Sequence, residues 1–179
     1  MNYTPPPFQS IHFVPANEEV DIRSRPVKAI HVVAHDPLPS GANHWCFYLQ
    51  LSSDASICVN MVPTYSSPST ILPDGSKGNI ILSALPSICP SSATKTICLS
   101  VCANLTVGCV LDLLVQSGRD KYDFNSEGRG CRMWTTDQIA LFERQGVITD
   151  SAQAAEARSV ILTEYPSVKP FPLDVGAYY

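Results

Sequence analysis

Residues 44–62 read HWCFYLQLSSDASICVNMV, and this stretch decides the fold. Two apolar runs, rich in β-branched and aromatic residues, flank the turn Ser52–Asp54, which is the pattern of a β-hairpin. If the chain turns there, residues whose numbers sum to about 106 face each other, and His44 and Asn60 become near neighbours on one face. An Asn in an apolar strand is costly unless its amide makes hydrogen bonds. The hairpin therefore predicts a polar pair on a mostly apolar sheet.

The rest of the chain divides into strands first and helices afterwards. Further strands are predicted at 27–35, 78–84 and 94–102. The apolar period then changes to that of helices, which are predicted at 106–118, 131–145 and 152–162. The fold class is therefore α+β, with a mainly antiparallel sheet in the N-terminal two-thirds of the chain and two or three helices after it.

Proline marks both ends of the chain. Residues 1–26 hold five prolines, and we interpret them as an arm that packs on the domain, with a short extended piece at Ile11–Val14. Residues 27–165 are predicted to form a single domain, and 166–179 an irregular C-terminal tail. Inside the domain, the Pro/Ser-rich and polar segments are predicted to be loops; these are residues 63–74 and 119–130.

The composition argues against several classes of protein. The chain has 179 residues, with 12 Lys and Arg against 16 Asp and Glu, for a net charge of −4. A nucleic-acid binder needs a basic face to neutralise phosphates, and the sequence has no basic cluster. It also has no apolar run of the roughly 18 residues that a membrane span needs, and its start lacks the features of a signal peptide. We expect a cytoplasmic protein with a small-molecule substrate; the oligomeric state is not indicated.

The cysteines point to free thiols. There are seven, an odd number, and no secretion signal precedes them, which is typical of a reducing compartment. No second Cys/His pair stands at zinc spacing, so neither a metal site nor a cofactor is predicted. Most of the cysteines lie in apolar runs, where a free thiol behaves as a small buried hydrophobe. Cys131 is the exception.

Cys131 begins a predicted helix directly after a glycine loop, in residues 128–134, GRGCRMW. The unpaired backbone N–H groups and the helix dipole favour a thiolate there and lower its pKa, and they can stabilise an oxyanion. Imidazole is the usual partner of such a thiolate; His44, at a strand end, is the best placed, with Asn60 to orient its ring. The alternative is that Cys131 is a core thiol and that the His and the Asn are structural.

The order of these residues resembles that of a known group of proteins. His44-Trp-Cys-Phe-Tyr48 on a strand, a later loop with Tyr122 and Asn125, and Gly130-Cys131-Arg-Met-Trp134 at a helix start are similar to the circularly permuted papain-like proteins. That group includes lecithin:retinol acyltransferase-like and NlpC-type proteins, which carry an H-W-x-x-Y strand and a late N-C-x-x-F/W helix. The resemblance covers residues 27–146, about two-thirds of the chain.

This resemblance implies a permuted papain-like fold in which Cys131 is the nucleophile, His44 the base and Asn60 the orienting residue. The chain departs from the pattern in having Gly130 where the group has Asn, and it lacks the histidine typical of the acyltransferases. The whole chain also resembles an uncharacterised family of small filamentous-fungal proteins. Some of these lie beside metabolite-biosynthesis genes, which implies a small-molecule setting.

The candidate substrate-binding residues are neighbours of the predicted catalytic residues, although the aromatic ones could instead belong to the core. They are Trp45, Tyr48, Gly130, Arg132 and Trp134.

Three functions stay open from the sequence. In the first, Cys131 is the nucleophile of a hydrolase or acyltransferase that acts on a small-molecule amide, ester or thioester. In the second, a non-covalent isomerase or cyclase uses His44 as acid and base and Arg132 to hold the substrate. In the third, the scaffold binds a ligand or partner without catalysis.

Overall fold

A computed structural model describes residues 7–39 and 41–179. The first six residues of the predicted arm and Ser40 lie outside the described residues. The elements in chain order are β1 (Ile11–Val14), α1 (Glu19–Ser24), β2 (Ala29–Pro37), β3 (Asn43–Gln50), β4 (Ser56–Pro68), β5 (Ser76–Leu85), β6 (Lys95–Ser100), α2 (Val107–Gln116), β7 (Tyr122–Phe124), α3 (Cys131–Arg144), α4 (Ser151–Val160), β8 (Thr163–Glu164), β9 (Lys169–Pro170) and β10 (Ala177–Tyr178).

The described strands form one large sheet and one small one. The large sheet has the order β10-β7-β5-β4-β3-β2-β6, and β1 joins it beside β5. The β1–β5 pair is parallel, and the other pairs of this sheet are antiparallel. The small sheet pairs β8 with β9. The α+β class with a mainly antiparallel sheet is therefore confirmed, and three helices, α2 to α4, follow the strands of the N-terminal two-thirds.

The central hairpin, β3 and β4, has the predicted register. Phe47 lies opposite Val59, and Tyr48 lies opposite Cys58. Because side chains alternate along a strand, Phe47 and Val59 enter the main core, whereas Tyr48 and Cys58 form a smaller apolar cluster on the opposite face. The position of a residue in the hairpin thus determines which face of the sheet its side chain lies on.

The helices that follow β6 cover the main core. Thr106, at the predicted start of this helix, caps α2, since its side chain accepts a hydrogen bond from the backbone N–H of Cys109 at 3.2 Å. The third helix buries Trp134 and Phe142, and both rings contact Phe47 of β3. This packing places the N-terminus of α3 at the beginning of β3, which is where the site forms.

Two predicted loops contain strands. The segment after Val62 continues β4 as far as Pro68, with a shift of register between Pro63 and Pro68. Proline is tolerated at such an irregularity because a bulge does not need its missing N–H donor. The polar segment 119–130 contains β7, whose three residues are buried. Its aromatic residues, not a long apolar run, place it in the core.

The two ends of the chain are more regular than predicted. The predicted extended piece in the arm is β1, and the polar residues after it form α1, which buries Ile22. The tail, predicted to be irregular, forms β9 and β10, and β10 pairs with β7. The described parts of the arm and the tail therefore contribute to the same sheet and core as residues 27–165.

Candidate active site

His44 and Asn60 form the strand half of the site. His44 is the second residue of β3 and Asn60 lies in β4, and the alternation of the hairpin brings them onto one face. His44 Nε2 lies 2.6 Å from Asn60 Oδ1. Because a carbonyl oxygen only accepts hydrogen bonds, Nε2 carries the proton and donates it to Asn60. The other ring nitrogen, Nδ1, is then free to face a thiol.

Cys131 forms the helix half of the site. It is the first residue of α3 and follows Gly130, whose φ is +152°. A Cβ at residue 130 would lie 3.1 Å from the ring of Tyr122, and Tyr122 also donates a hydrogen bond to the carbonyl of Gly130 at 2.9 Å. The close approach of this ring therefore requires glycine where the papain-like pattern has asparagine.

The side chains of Cys131 and His44 line the same cavity, and each shifts the pKa of the other. Burial by itself raises the pKa of Cys131, but the hydrogen bond and charge of His44, a backbone N–H of Trp45 and the charge of Arg132 together lower it below its usual value of 9.0. Burial by itself lowers the pKa of His44, but the Cys131 hydrogen bond and charge and the Asn60 hydrogen bond raise it to about 9. Each group therefore stabilises the charged form of the other, which shifts the pair toward thiolate and imidazolium.

The N-terminus of α3 offers further donors beside the sulfur. Residue 130 is the N-cap and makes no side-chain capping hydrogen bond, while its carbonyl accepts the backbone N–H of Trp134 at 3.0 Å. The backbone N–H groups of the first helical residues have no intrahelical acceptor. They can stabilise a negative oxygen that develops on a carbon bound to Cys131.

These groups line a cavity of about 330 Å3. Cys131 is only 8% exposed, so its sulfur is reached through this cavity. The polar lining of the cavity includes the Cys131, His44 and Asn60 side chains. The apolar wall is formed by Leu38, Ala42, Val62, Pro63, Tyr65 and Phe124. An apolar part of a ligand can therefore pack against this wall while its polar part faces the Cys131 and His44 side chains.

The predicted substrate-binding residues divide into two groups. Gly130 and Arg132 line the cavity, whereas the three aromatic residues do not, and for them the alternative of a structural role fits their positions. Trp45 is buried because it points to the sheet face opposite His44, and Trp134 donates its ring N–H to the carbonyl of Arg119 at 2.8 Å. Tyr48 is hydrogen-bonded to His35 Nε2 at 3.1 Å.

Arg132 has a structural task although it borders the cavity. Its guanidinium donates to the backbone carbonyls of Ile161, Phe171 and Pro172, and the residue is 3% exposed. The side chain thus anchors the C-terminal tail, and this uses three of the five N–H donors of the guanidinium. Its charge still contributes to the lowered pKa of Cys131.

The structure adds two residues that the sequence did not single out. The Cys46 thiol donates to Asn60 Oδ1 at 3.3 Å, so two donors converge on that oxygen. The sequence contains a signal for Cys46, because the hairpin register places residue 46 opposite residue 60. That signal is obscured because a cysteine in an apolar run is typical of a hydrophobic core. Tyr65 lies on the cavity wall, in a segment predicted to be a loop, and no sequence pattern points to it.

The described residues contain neither a metal-binding cluster nor a membrane-spanning helix. Within 7–39 and 41–179, no group of three or more His, Cys, Asp or Glu side chains is placed to hold a metal ion. In the same part of the chain, no helix has the length and apolar character needed to cross a membrane.

Comparison with known proteins gives one family. The model of a family described as "Domain of unknown function (DUF7770)" matches residues 30–179. No curated protein and no solved structure matches the chain.

Proposed function

The chain belongs to the DUF7770 family, and we propose that it is a cysteine-nucleophile hydrolase or acyltransferase that acts on a small-molecule amide, ester or thioester. One observation supports this above all: Cys131, His44 and Asn60 line one cavity, where His44 donates a hydrogen bond to Asn60 and where His44 and Cys131 shift each other's pKa. The thiol pKa is lowered and the imidazole pKa is raised. A purely structural thiol buried in apolar surroundings has a raised pKa instead.

The acylation step follows from this geometry. The Cys131 thiolate attacks the acyl carbon, a C–S bond forms, and the carbonyl electrons move onto oxygen. Backbone N–H groups at the start of α3 stabilise that oxyanion. The imidazolium of His44 then gives its Nδ1 proton to the leaving amine, alcohol or thiol as the bond to the acyl carbon breaks. The products of this step are a neutral leaving group and an acyl-cysteine.

The deacylation step returns the site to its starting state. A water, amine or alcohol attacks the acyl-cysteine while the neutral His44 ring removes its proton. The C–S bond breaks, and the thiolate and imidazolium are restored. With water the product is an acid, and with another nucleophile the acyl group is transferred. Asn60 holds the ring through Nε2 in both steps, so that Nδ1 keeps facing the reacting atoms.

The order of the site residues also supports this proposal. His44 and Asn60 on strands precede Cys131 on a helix, as in the permuted papain-like group that the sequence resembles. The isomerase alternative requires Arg132 to hold the substrate, whereas the Arg132 guanidinium is already bonded to three carbonyls. A binding protein without catalysis does not require the thiolate–imidazolium pair.

Alkylation by iodoacetamide at neutral pH tests the nucleophile. Cys98 is an internal control, because it is exposed and its burial-raised pKa disfavours the thiolate. We expect residue 131 to be alkylated faster than residue 98, as followed by peptide mass spectrometry, and His44→Ala to remove the difference. If Cys131 reacts no faster than Cys98 in the wild-type protein, the proposed nucleophile is wrong.

A further inference from the structure

Tyr65 holds a strained position at the rim of the cavity. It lies in the irregular part of β4, where the pairing with β5 shifts register. Its φ is 55°, a left-handed conformation that costs a non-glycine residue about 1–3 kcal/mol. The residue is 77% exposed, so burial does not offset that cost. A strained, exposed aromatic residue that lines the same cavity as Cys131 suggests a functional constraint.

The loop before α3 is shaped to accept the Tyr65 ring. Gly128 lies in this loop with a φ of +70°, and a Cβ there would lie 2.4 Å from Tyr65 Oη. Any larger residue at 128 would displace the ring. The ring thus reaches from β4 to the loop that leads into Cys131, and both Tyr65 and Gly128 line the cavity.

The charged groups on the cavity wall are already paired. Arg132 is bonded to three carbonyls. Arg129 forms two salt bridges: its Nε lies 3.2 Å from Glu127 Oε2, and its Nη1 lies 3.4 Å from Asp174 Oδ1. Because these charged side chains already have partners, a ligand contacts mainly the apolar wall and the Cys131, His44 and Asn60 side chains among the described lining residues. The cavity of about 330 Å3 has room for about ten non-hydrogen atoms, at the roughly 30 Å3 that a water molecule occupies in the liquid.

We propose that Tyr65 determines substrate specificity, because its ring closes the outer end of a pocket for an uncharged acyl group of up to about ten non-hydrogen atoms. The acyl carbon lies at the Cys131 sulfur, and the far end of the group contacts the ring. Groups that fill the pocket gain this contact, and longer groups must displace the ring. This inference rests on the proposed function, since it assigns the acyl group of that reaction.

Hydrolysis of 4-nitrophenyl esters, from acetate to dodecanoate, tests the role of Tyr65. For the wild-type protein we expect kcat/KM to rise with chain length and then to fall once the acyl group exceeds the pocket. Tyr65→Ala should raise KM about tenfold for the esters at the wild-type optimum and move the optimum to longer chains. Tyr65→Phe, which keeps the ring, should retain the wild-type order of preference. An unchanged optimum and KM in Tyr65→Ala would overturn the proposal.

Two further variants distinguish an effect of the Tyr65 ring on the chain-length profile from an effect of backbone strain or of lowered stability. Val168 also has a positive φ, of 54°, and is exposed, but it does not line the cavity. Val168→Ala should therefore leave the chain-length profile unchanged. Gly128→Ala should displace the Tyr65 ring and reproduce the shift toward longer chains. If Val168→Ala produces the same shift as Tyr65→Ala, Tyr65 is not a specificity residue.

A binding measurement keeps this inference separate from the proposed function. If Cys131→Ser hydrolyses the esters as fast as the wild-type protein, the proposed nucleophile fails. The pocket is then tested by calorimetry with hexanamide, in the Cys131→Ser protein and in the Cys131→Ser, Tyr65→Ala double variant. Binding about tenfold weaker in the double variant supports the role of the ring, and equal affinities refute it.

Discussion

Asn60→Ala removes the acceptor that orients His44. Asn60 Oδ1 receives the His44 Nε2–H at 2.6 Å and the Cys46 thiol at 3.3 Å. A hydrogen bond to a charged group contributes about 1.5–3 kcal/mol. If this bond is needed to align the imidazolium in the transition state, kcat/KM should fall about 10- to 150-fold, at 1.36 kcal/mol for each factor of ten.

The same substitution should also change the pH dependence. The Asn60 hydrogen bond is one of the contacts that raise the pKa of His44 to about 9, so its loss lowers that pKa. Proton donation to the leaving group requires the imidazolium, and the alkaline decline of kcat/KM should therefore begin at lower pH in Asn60→Ala. The assay is hydrolysis of 4-nitrophenyl butyrate from acid to alkaline pH.

The sheet offers a matched control for this prediction. Gln50 Oε1 lies 2.9 Å from His31 Nε2, so Gln50→Ala removes an equivalent amide acceptor from a histidine remote from the cavity. We expect Gln50→Ala to retain wild-type turnover and pH profile. The reasoning is refuted if Asn60→Ala, folded as judged by urea unfolding, keeps the wild-type rate and alkaline limb, or if Gln50→Ala loses as much.

Three other predictions concern the pH range, the tail and the helix start. Turnover needs the Cys131 thiolate and the His44 imidazolium. As the pH is increased, kcat/KM should therefore rise at pH values below 9.0, the usual thiol pKa, and should fall as the pH passes about 9, the pKa of His44. A rise in kcat/KM only above pH 9 would contradict the ion pair. Arg132→Met leaves three carbonyls without their donor and should lower the free energy of unfolding by at least about 3 kcal/mol in urea titration, whereas a change below about 1 kcal/mol would contradict the anchoring role. Gly130→Ala adds a Cβ 3.1 Å from the Tyr122 ring at a positive φ, so it should slow alkylation of Cys131 and cost about 1–3 kcal/mol of stability; wild-type values for both would show that glycine is not required.

Local rules were sufficient to predict the hairpin half of the site. The turn Ser52–Asp54 fixes the register of β3 and β4, and the alternation of side chains then places His44 beside Asn60. The helix cap Thr106 and the start of α3 at Cys131 follow from equally local signals. The distance in sequence between Cys131 and the hairpin did not prevent their association from being predicted, because the chemistry of a helix-terminal thiol requires a partner.

The remaining features depend on long-range packing. The three-residue strand β7 has no period of its own and is placed by its pairing with β5 and β10. The anchoring role of Arg132 depends on where the C-terminal tail lies, and no local sequence pattern predicts the position of the tail. The positive φ of Tyr65 arises where β4 changes register with β5. The Pro/Ser-rich composition of this segment predicts a loop and does not indicate the pairing with β5.

The acyl-cysteine intermediate tests the central claim most directly. The intact protein is mixed briefly with 4-nitrophenyl acetate, quenched in acid, digested and examined by mass spectrometry. The proposal predicts one acetyl group on residue 131, strongly reduced in His44→Ala and absent in Cys131→Ser. An acetyl group that appears on Cys98 or Cys109, both exposed, while residue 131 stays unmodified would contradict it.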